Sequence, residues 1–200
     1  MPATPSDTRD EFRDVTSLIR REDIAPADWT GMLRDGALTL VWHGVAIRAG
    51  HRITMPVRLA AMAPLVPRRG VNGRASAAWV YAGGPLPDKV DVVVPPGARH
   101  TDPHPRRRTV EAALPAAEVH DVPACGRITT VQRTGLDVAR YAPREVTLRL
   151  LVGLWRRGFE PDAALDTLDA MVGARGVRQA REAIRTLTRV RPADPVFWRP

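Results

Sequence analysis

Six histidine, aspartate and cysteine side chains between residues 100 and 125 could form a metal-binding cluster. They are His100, Asp102, His104, His120, Asp121 and Cys125, and imidazole, carboxylate and thiolate all bind zinc. Pro103 and Pro105 exclude a helix around His104, so helical spacing cannot bring these ligands together. The chain contains neither a C-x-x-C nor an H-E-x-x-H pattern. A solvated loop is therefore the favoured interpretation, and we expect no metal site and no cofactor.

Nucleophilic and nuclease chemistry have little more support. The chain has no G-x-S-x-G segment, and Cys125 has only His120 near it in sequence to act as a base. Asp88 and Asp91 could belong to a metal-dependent nuclease, but such sites usually need a downstream lysine. Lys89 is the only lysine of the chain, and no lysine follows Asp91. We therefore expect a protein that is not an enzyme.

The positive charge is the stronger functional signal. The formal net charge is +8. Residues 1–35 hold eight acids and five arginines, whereas residues 36–87 hold six arginines and no acid. Guanidinium groups bind phosphate in a two-pronged geometry, so clusters of arginines favour a polyanionic partner such as nucleic acid. For any single arginine, a solvated surface position is the alternative. The clusters are Arg48 with Arg52, Arg68 and Arg69 with Arg74, and Arg106 to Arg108.

The composition predicts a globular, cytoplasmic protein. The apolar fraction is 44%, which is ordinary for a packed domain. A single cysteine, Cys125, excludes an intramolecular disulfide and fits a reducing compartment. The N-terminus has no apolar run behind basic residues, and no uninterrupted apolar stretch is long enough to cross a membrane.

The first 55 residues predict a small winged-helix-like lobe. Apolar residues recur at helical spacing from Phe12 to Ile19, and a second short helix begins at Pro26 and ends at Gly36. The segment ALTLVWHGVAIRAG then has a hairpin pattern with a turn at His43-Gly44. Helix, helix and hairpin follow in the order of a winged helix. A complete helix-turn-helix has three helices, so a small α+β lobe without nucleic acid is the alternative.

The remaining chain predicts a larger α/β domain over residues 56–200, which makes the whole an α+β protein. A helix is expected over 56–66, a short buried helix or strand at ASAAWVY, and a strand at KVDVVV. Residues 95–108 predict a Pro-rich basic loop, followed by extended pieces at 118–122 and 128–130. Four helices are expected at 134–141, 144–159, 162–172 and 177–190.

The segment RITTVQRTGLDVAR, residues 127–140, is the most informative of the chain. Thr130 or Thr134 can cap the helix that begins there. Arg133 and Asp137 have the i,i+4 spacing of a helical ion pair, and Arg140 follows within one turn. The favoured interpretation is a structural junction between strand and helix.

Four segments together resemble the AbiEi-type antitoxins of type IV toxin–antitoxin systems, in the actinobacterial style. They are LRDGALTLVWHGVAI, ASAAWVYAG, PDKVDVVVP and RITTVQRTGLDVAR, and the resemblance covers about residues 30–190. It implies an N-terminal part that binds operator DNA and represses its own operon. It also implies a C-terminal domain that counters a nucleotidyltransferase-like toxin.

On this interpretation the DNA contacts come from the second helix, the wing and a basic loop. The expected residues are Thr30, Arg34, His43, Arg48, His51, Arg52, Arg68, Arg69 and Arg74. Two alternatives stay open, a protein-binding antitoxin without DNA binding and a generic winged-helix transcriptional regulator.

Overall fold

Two β-sheets and seven α-helices make up the described part of the chain in the computed structural model, residues 14–98, 103–171 and 173–189. The protein is therefore α+β, as the sequence predicted. Within these ranges, no helix combines enough length with enough apolar character to cross a membrane.

A three-stranded antiparallel sheet forms the N-terminal region, with strand order β1-β3-β2. The predicted hairpin is present, and its turn places Gly44 at a φ of 70°, a conformation that glycine adopts without a steric penalty. Between strands β1 and β2 lies helix α1. The bounds are Ile19–Arg20 for β1, Pro26–Arg34 for α1, Leu38–Trp42 for β2 and Val45–Arg48 for β3.

Helix α1 packs on this sheet through Trp29, which forms a small core with Leu38 and Ala46. The prediction of a helix over Phe12 to Ile19 is wrong for the described residues of this range, because only a 3-10 turn, Asp14–Ser17, precedes β1. Ile19 instead pairs with Ala46 in the sheet. Phe12 lies outside the described residues.

A five-stranded mixed sheet with order β6-β5-β4-β8-β7 forms the centre of the molecule. The pairs β5–β6 and β4–β8 are parallel, and the pairs β4–β5 and β7–β8 are antiparallel. The strands are Val71–Asn72 (β4), Val90–Val94 (β5), Arg107–Glu111 (β6), Val119–Val122 (β7) and Gly126–Thr129 (β8).

Strand β6 corrects the prediction of a loop over residues 95–108. Arg107 and Arg108 lie in this strand, where Arg108 pairs with Asp91 of β5. The sequence of β6 is polar because it is an edge strand with no buried residue. The tertiary pairing with β5, rather than local hydrophobicity, therefore defines it.

Six helices pack around the sheet and on one another. The four predicted C-terminal helices are present, and ASAAWVY is a helix rather than a strand. These helices are Met55–Met62 (α2), Arg74–Ala82 (α3), Val131–Tyr141 (α4), Arg144–Trp155 (α5), Pro161–Ala170 (α6) and Val177–Arg189 (α7).

One large apolar core joins the hairpin to these helices. It includes Trp42 and Ile47 of the hairpin, Val57 of α2, Leu151 of α5 and Ile184 of α7. Removing each such side chain from water contributes about 1.5–3 kcal/mol. This core packs α4 against the sheet. Several buried polar residues lie near the start of α4.

Close packing at Gly135 of α4 gives a direct test of this core. A Cβ at Gly135 would lie 2.3 Å from Cδ2 and Cε2 of the buried Phe159 ring. We expect Gly135→Ala to lower the free energy of unfolding by about 1–3 kcal/mol because the core must shift, measured by urea denaturation. The control is Gly31→Ala in α1, where a Cβ meets no atom within 4 Å; it should stabilise by about 0.4–1 kcal/mol. Unchanged stability of Gly135→Ala would contradict this packing.

Candidate functional site

Two ion-paired groups lie where the sheet meets the helices, and together with the nearby Arg74 we term them the charge chain. Arg133 donates from Nη1 to Glu118 Oε2 and from Nε to Asp137 Oδ2, the latter over 3.0 Å. At the other end, Arg108 Nε donates to Asp91 Oδ1 over 2.7 Å. Arg74 forms no ion pair with a described residue, but its positive charge lowers the pKa of both aspartates against the effect of burial. In order, the members are Glu118, Arg133, Asp137, Arg74, Asp91 and Arg108.

The elements position these side chains in different ways. Arg133 and Asp137 lie one turn apart on α4, and Arg108 is carried opposite Asp91 by the parallel register of β5 and β6. Arg74 is the first residue of α3 and has a φ of 52°. A left-handed conformation costs a non-glycine residue on the order of 1–3 kcal/mol. The guanidinium of Arg74 lies over the Tyr141 ring, 4.3 Å from its centroid, so tertiary contacts hold this strained residue.

Burial dominates the electrostatics of the two aspartates. The side chains of Asp91 and Asp137 are each 3% exposed. Burial raises the pKa of both carboxyls, and the neighbouring arginines oppose that rise. Burial lowers the pKa of Arg133, but Asp137 and Glu118 together outweigh this and raise it. With three acids and three arginines, the charge chain is neutral as a whole.

Hydroxyl groups fix the start of α4 beside the charge chain. The Thr130 hydroxyl accepts from the backbone N–H of Arg133 over 3.2 Å and so caps the helix. The hydroxyls of Thr129 and Thr134 lie 2.7 Å apart and are fully buried. Arg140 points away from them and donates to the backbone carbonyl of Arg175.

A second buried polar layer lies under Asp91. Ser76 donates to Asn72 Oδ1 over 2.9 Å and accepts from the backbone N–H of Asp91 over 2.9 Å. Tyr81 donates to the carbonyl of Thr129 over 2.8 Å, and burial raises the pKa of Tyr81 to about 12. The sequence signal for this layer was the presence of Asn72 and Asp91 next to runs of buried apolar residues.

Among the described residues, those considered for metal or nucleophilic chemistry do not converge. Within the described ranges, no group of three His, Cys, Asp or Glu side chains could hold a metal ion. His104 Nδ1 accepts from the backbone N–H of Arg106. Cys125 is 1% exposed, and burial raises the pKa of its thiol. His100 and Asp102 lie outside the described residues.

The residues expected to contact DNA fall into three groups. On α1, Thr30 and Arg34 are exposed; Thr30 donates to Pro26 O, and Arg34 Nε lies 3.1 Å from Asp35 Oδ1. Near the hairpin, Arg48, His51 and Arg52 are exposed. His43 is half-buried in the turn, with its ring edge against Trp42.

The third group is split by the structure. Arg68 and Arg69 are exposed in the loop before β4, and Arg127 Nη2 donates to the carbonyl of Arg68 over 3.1 Å. Arg74, only five residues further on, belongs to the charge chain instead. The three arginines that the sequence grouped together therefore have different surroundings.

The pairing of Arg133 with Asp137 predicts a large effect on stability. We expect Arg133→Met to lower the free energy of unfolding by about 3–5 kcal/mol, because it leaves buried Asp137 without its counter-ion. Urea denaturation measures this, with Arg149→Met on the exposed face of α5 as a control that should change stability by less than about 0.5 kcal/mol. Adding Asp137→Leu to Arg133→Met should recover part of the loss. A double variant less stable than Arg133→Met would contradict this account.

Comparison with known proteins adds little. No protein-family model matches the chain, and no curated protein matches it. Among solved structures, the chain is similar to the RV2827C protein from Mycobacterium tuberculosis. That likeness has 15% identity and a TM-score of 0.32, and it covers 92% of this chain and 83% of the other. A similarity of this size supports no conclusion about the function of this chain.

Proposed function

We propose that the chain is an antitoxin-type regulator of the cytoplasm that binds the DNA of its own promoter and counters a nucleotidyltransferase-like toxin. The observation that carries the DNA-binding part is the exposed helix α1 followed by a hairpin with basic residues at its end. The antitoxin part is supported by the resemblance of the four sequence segments to the AbiEi type.

The topology around α1 supports a winged helix. In a winged helix the recognition helix lies directly before the wing hairpin, and α1 holds that place here as the one α-helix before the hairpin among the described residues. Here β1 pairs with β3, and the strand order is β1-β3-β2. Trp29 anchors α1 on Leu38 and Ala46. This packing leaves the opposite face of α1, with Thr30 and Arg34, free to enter a groove of DNA.

The distribution of charge supports the wing as the main contact with phosphate. Arg48 and Arg52 are exposed, and the sequence from residue 36 to residue 87 holds no acid that could neutralise them. On α1, by contrast, Arg34 is paired with Asp35. The wing therefore carries more unneutralised positive charge than α1.

The acids of α1 favour one second candidate, a protein-binding antitoxin that does not bind DNA. Asp28 and Asp35 are exposed at this helix, and Glu22 and Asp23 are exposed just before it. Such a surface repels phosphate and suits a basic protein partner.

The wing assignment predicts a salt-dependent loss of DNA binding. Fluorescence anisotropy with a duplex from upstream of the chain's own gene should give an affinity that falls steeply with salt. Arg48→Ala with Arg52→Ala should weaken binding roughly tenfold at 0.1 M salt and reduce the slope of log K against log salt by about 1.8. The control, Arg149→Ala with Arg157→Ala, removes the same charge from exposed positions on and after α5. Equal behaviour of the two double variants would refute the wing assignment.

The antitoxin part predicts rescue of growth. Co-expression of the full chain with a nucleotidyltransferase-like protein encoded beside it should restore the growth of cells that this protein arrests. The Arg48→Ala, Arg52→Ala variant should rescue equally well, because neutralisation does not need DNA binding on this proposal. Colony counts measure the rescue, and arrest that persists with the full chain would count against an antitoxin.

A further inference from the structure

Three arginines form a straight row on α7, which we term the arginine stripe. They are Arg178, Arg185 and Arg189, and all three are exposed. At 3.6 residues per turn, spacings of seven and eleven residues bring side chains to within about 20° of the same direction. The stripe therefore runs parallel to the helix axis over about 17 Å.

The stripe points directly away from the protein core. The buried residues of α7 are Ala180, Ile184 and Leu187, which lie on the opposite side of the helix from Arg178 and Arg185 at about 100° per residue. Packing against the core thus accounts for the buried face of α7 but does not involve the stripe.

The other charges of α7 are already paired. Arg181 Nη2 lies 2.7 Å from Asp169 Oδ1, and Glu182 Oε2 lies 3.5 Å from Arg144 Nη2. No described residue forms an ion pair with a stripe arginine. The stripe therefore carries three positive charges that nothing in the described structure neutralises.

The stability of α7 explains only part of the stripe, because the helix dipole favours Arg189 in the last turn but not the other two arginines. Arg178 lies in the first turn, where the helix dipole disfavours a positive charge. Arg185 and Arg189 have the i,i+4 spacing at which like charges repel by a few tenths of a kcal/mol. An anionic partner would turn both unfavourable arrangements into favourable ones.

We infer that the arginine stripe binds the phosphate backbone of DNA, as a second contact surface in addition to the wing. Guanidinium groups bind phosphate oxygens in a two-pronged geometry. The stripe is about as long as five base-pair steps measured along the axis of a duplex at 3.4 Å per step. A protein partner is less favoured because such interfaces are enriched in apolar and aromatic contacts, and the exposed large apolar residues among those described are Leu40, Leu86 and Leu148, none on α7.

The inference rests on the proposed DNA binding, but its test separates the two. Anisotropy titrations at several salt concentrations would use the full chain, the promoter duplex and an unrelated duplex of equal length. Arg178→Ala with Arg185→Ala should reduce the slope of log K against log salt by about 1.8 on both duplexes, because backbone contacts do not depend on sequence. The same Arg149→Ala, Arg157→Ala control applies, and circular dichroism should show unchanged helix content, since alanine favours helices.

Four outcomes distinguish the arginine stripe from the proposed DNA binding as a whole. A reduced slope on both duplexes, with the control unchanged, supports the stripe as a backbone contact. A full slope in the stripe variant, while the wing variant loses affinity, would overturn this inference and leave the proposed function intact. The same full slope combined with lost binding of the toxin would show that the stripe is a protein interface. If the unaltered chain binds neither duplex, the proposed DNA binding fails, and the inference fails with it.

Discussion

The ion pair between Arg133 and Asp137 is the interaction on which the organisation of the central domain depends. Asp137 is almost fully buried, so its charge is tolerated only because Arg133 neutralises it. Arg133 also holds Glu118, just before β7, and thereby ties α4 to the edge of the sheet. A second ion pair joins Asp91 of β5 to Arg108 of β6, and the charge of Arg74 acts on both aspartates. Two helices and three strands of the central sheet are thus positioned around one neutral series of charges.

Neutrality of the charge chain has a functional consequence. Arg133 and Arg108 are paired with carboxylates of the charge chain, and Arg74 lies over the Tyr141 ring, so they leave little charge for a ligand. Several exposed arginines without an ion pair among the described residues lie elsewhere, and they include those at the end of the hairpin and along α7. On the proposed function, these surfaces are the candidates for contact with DNA, and the charge chain has a structural role. This assignment separates Arg74 from Arg68 and Arg69, although the three are close in sequence.

Local patterns predicted much of the fold, and distant pairing explains what they missed. Helix α1 was predictable from Pro26 and Gly36, and the Arg133–Asp137 spacing follows from helix periodicity. Strand β6 was missed because its polar sequence becomes a strand only through pairing with β5, about 17 residues earlier in the chain. Arg74 depends on Tyr141 and two distant aspartates, which no local pattern reveals. The spacing of Ile19 predicted a helix, but Ile19 pairs with Ala46 and therefore belongs to strand β1.

Hydrogen exchange measured by mass spectrometry, with and without the promoter duplex, can test whether DNA binds at the wing and α7 and leaves the charge chain untouched. We predict slower exchange in α1, in the hairpin through residue 52 and in α7, with little change in α4, where Arg133 is already paired with Glu118 and Asp137. Protection confined to α4 and the ends of β5 and β6 would contradict the account, because it would place the ligand on the charge chain instead.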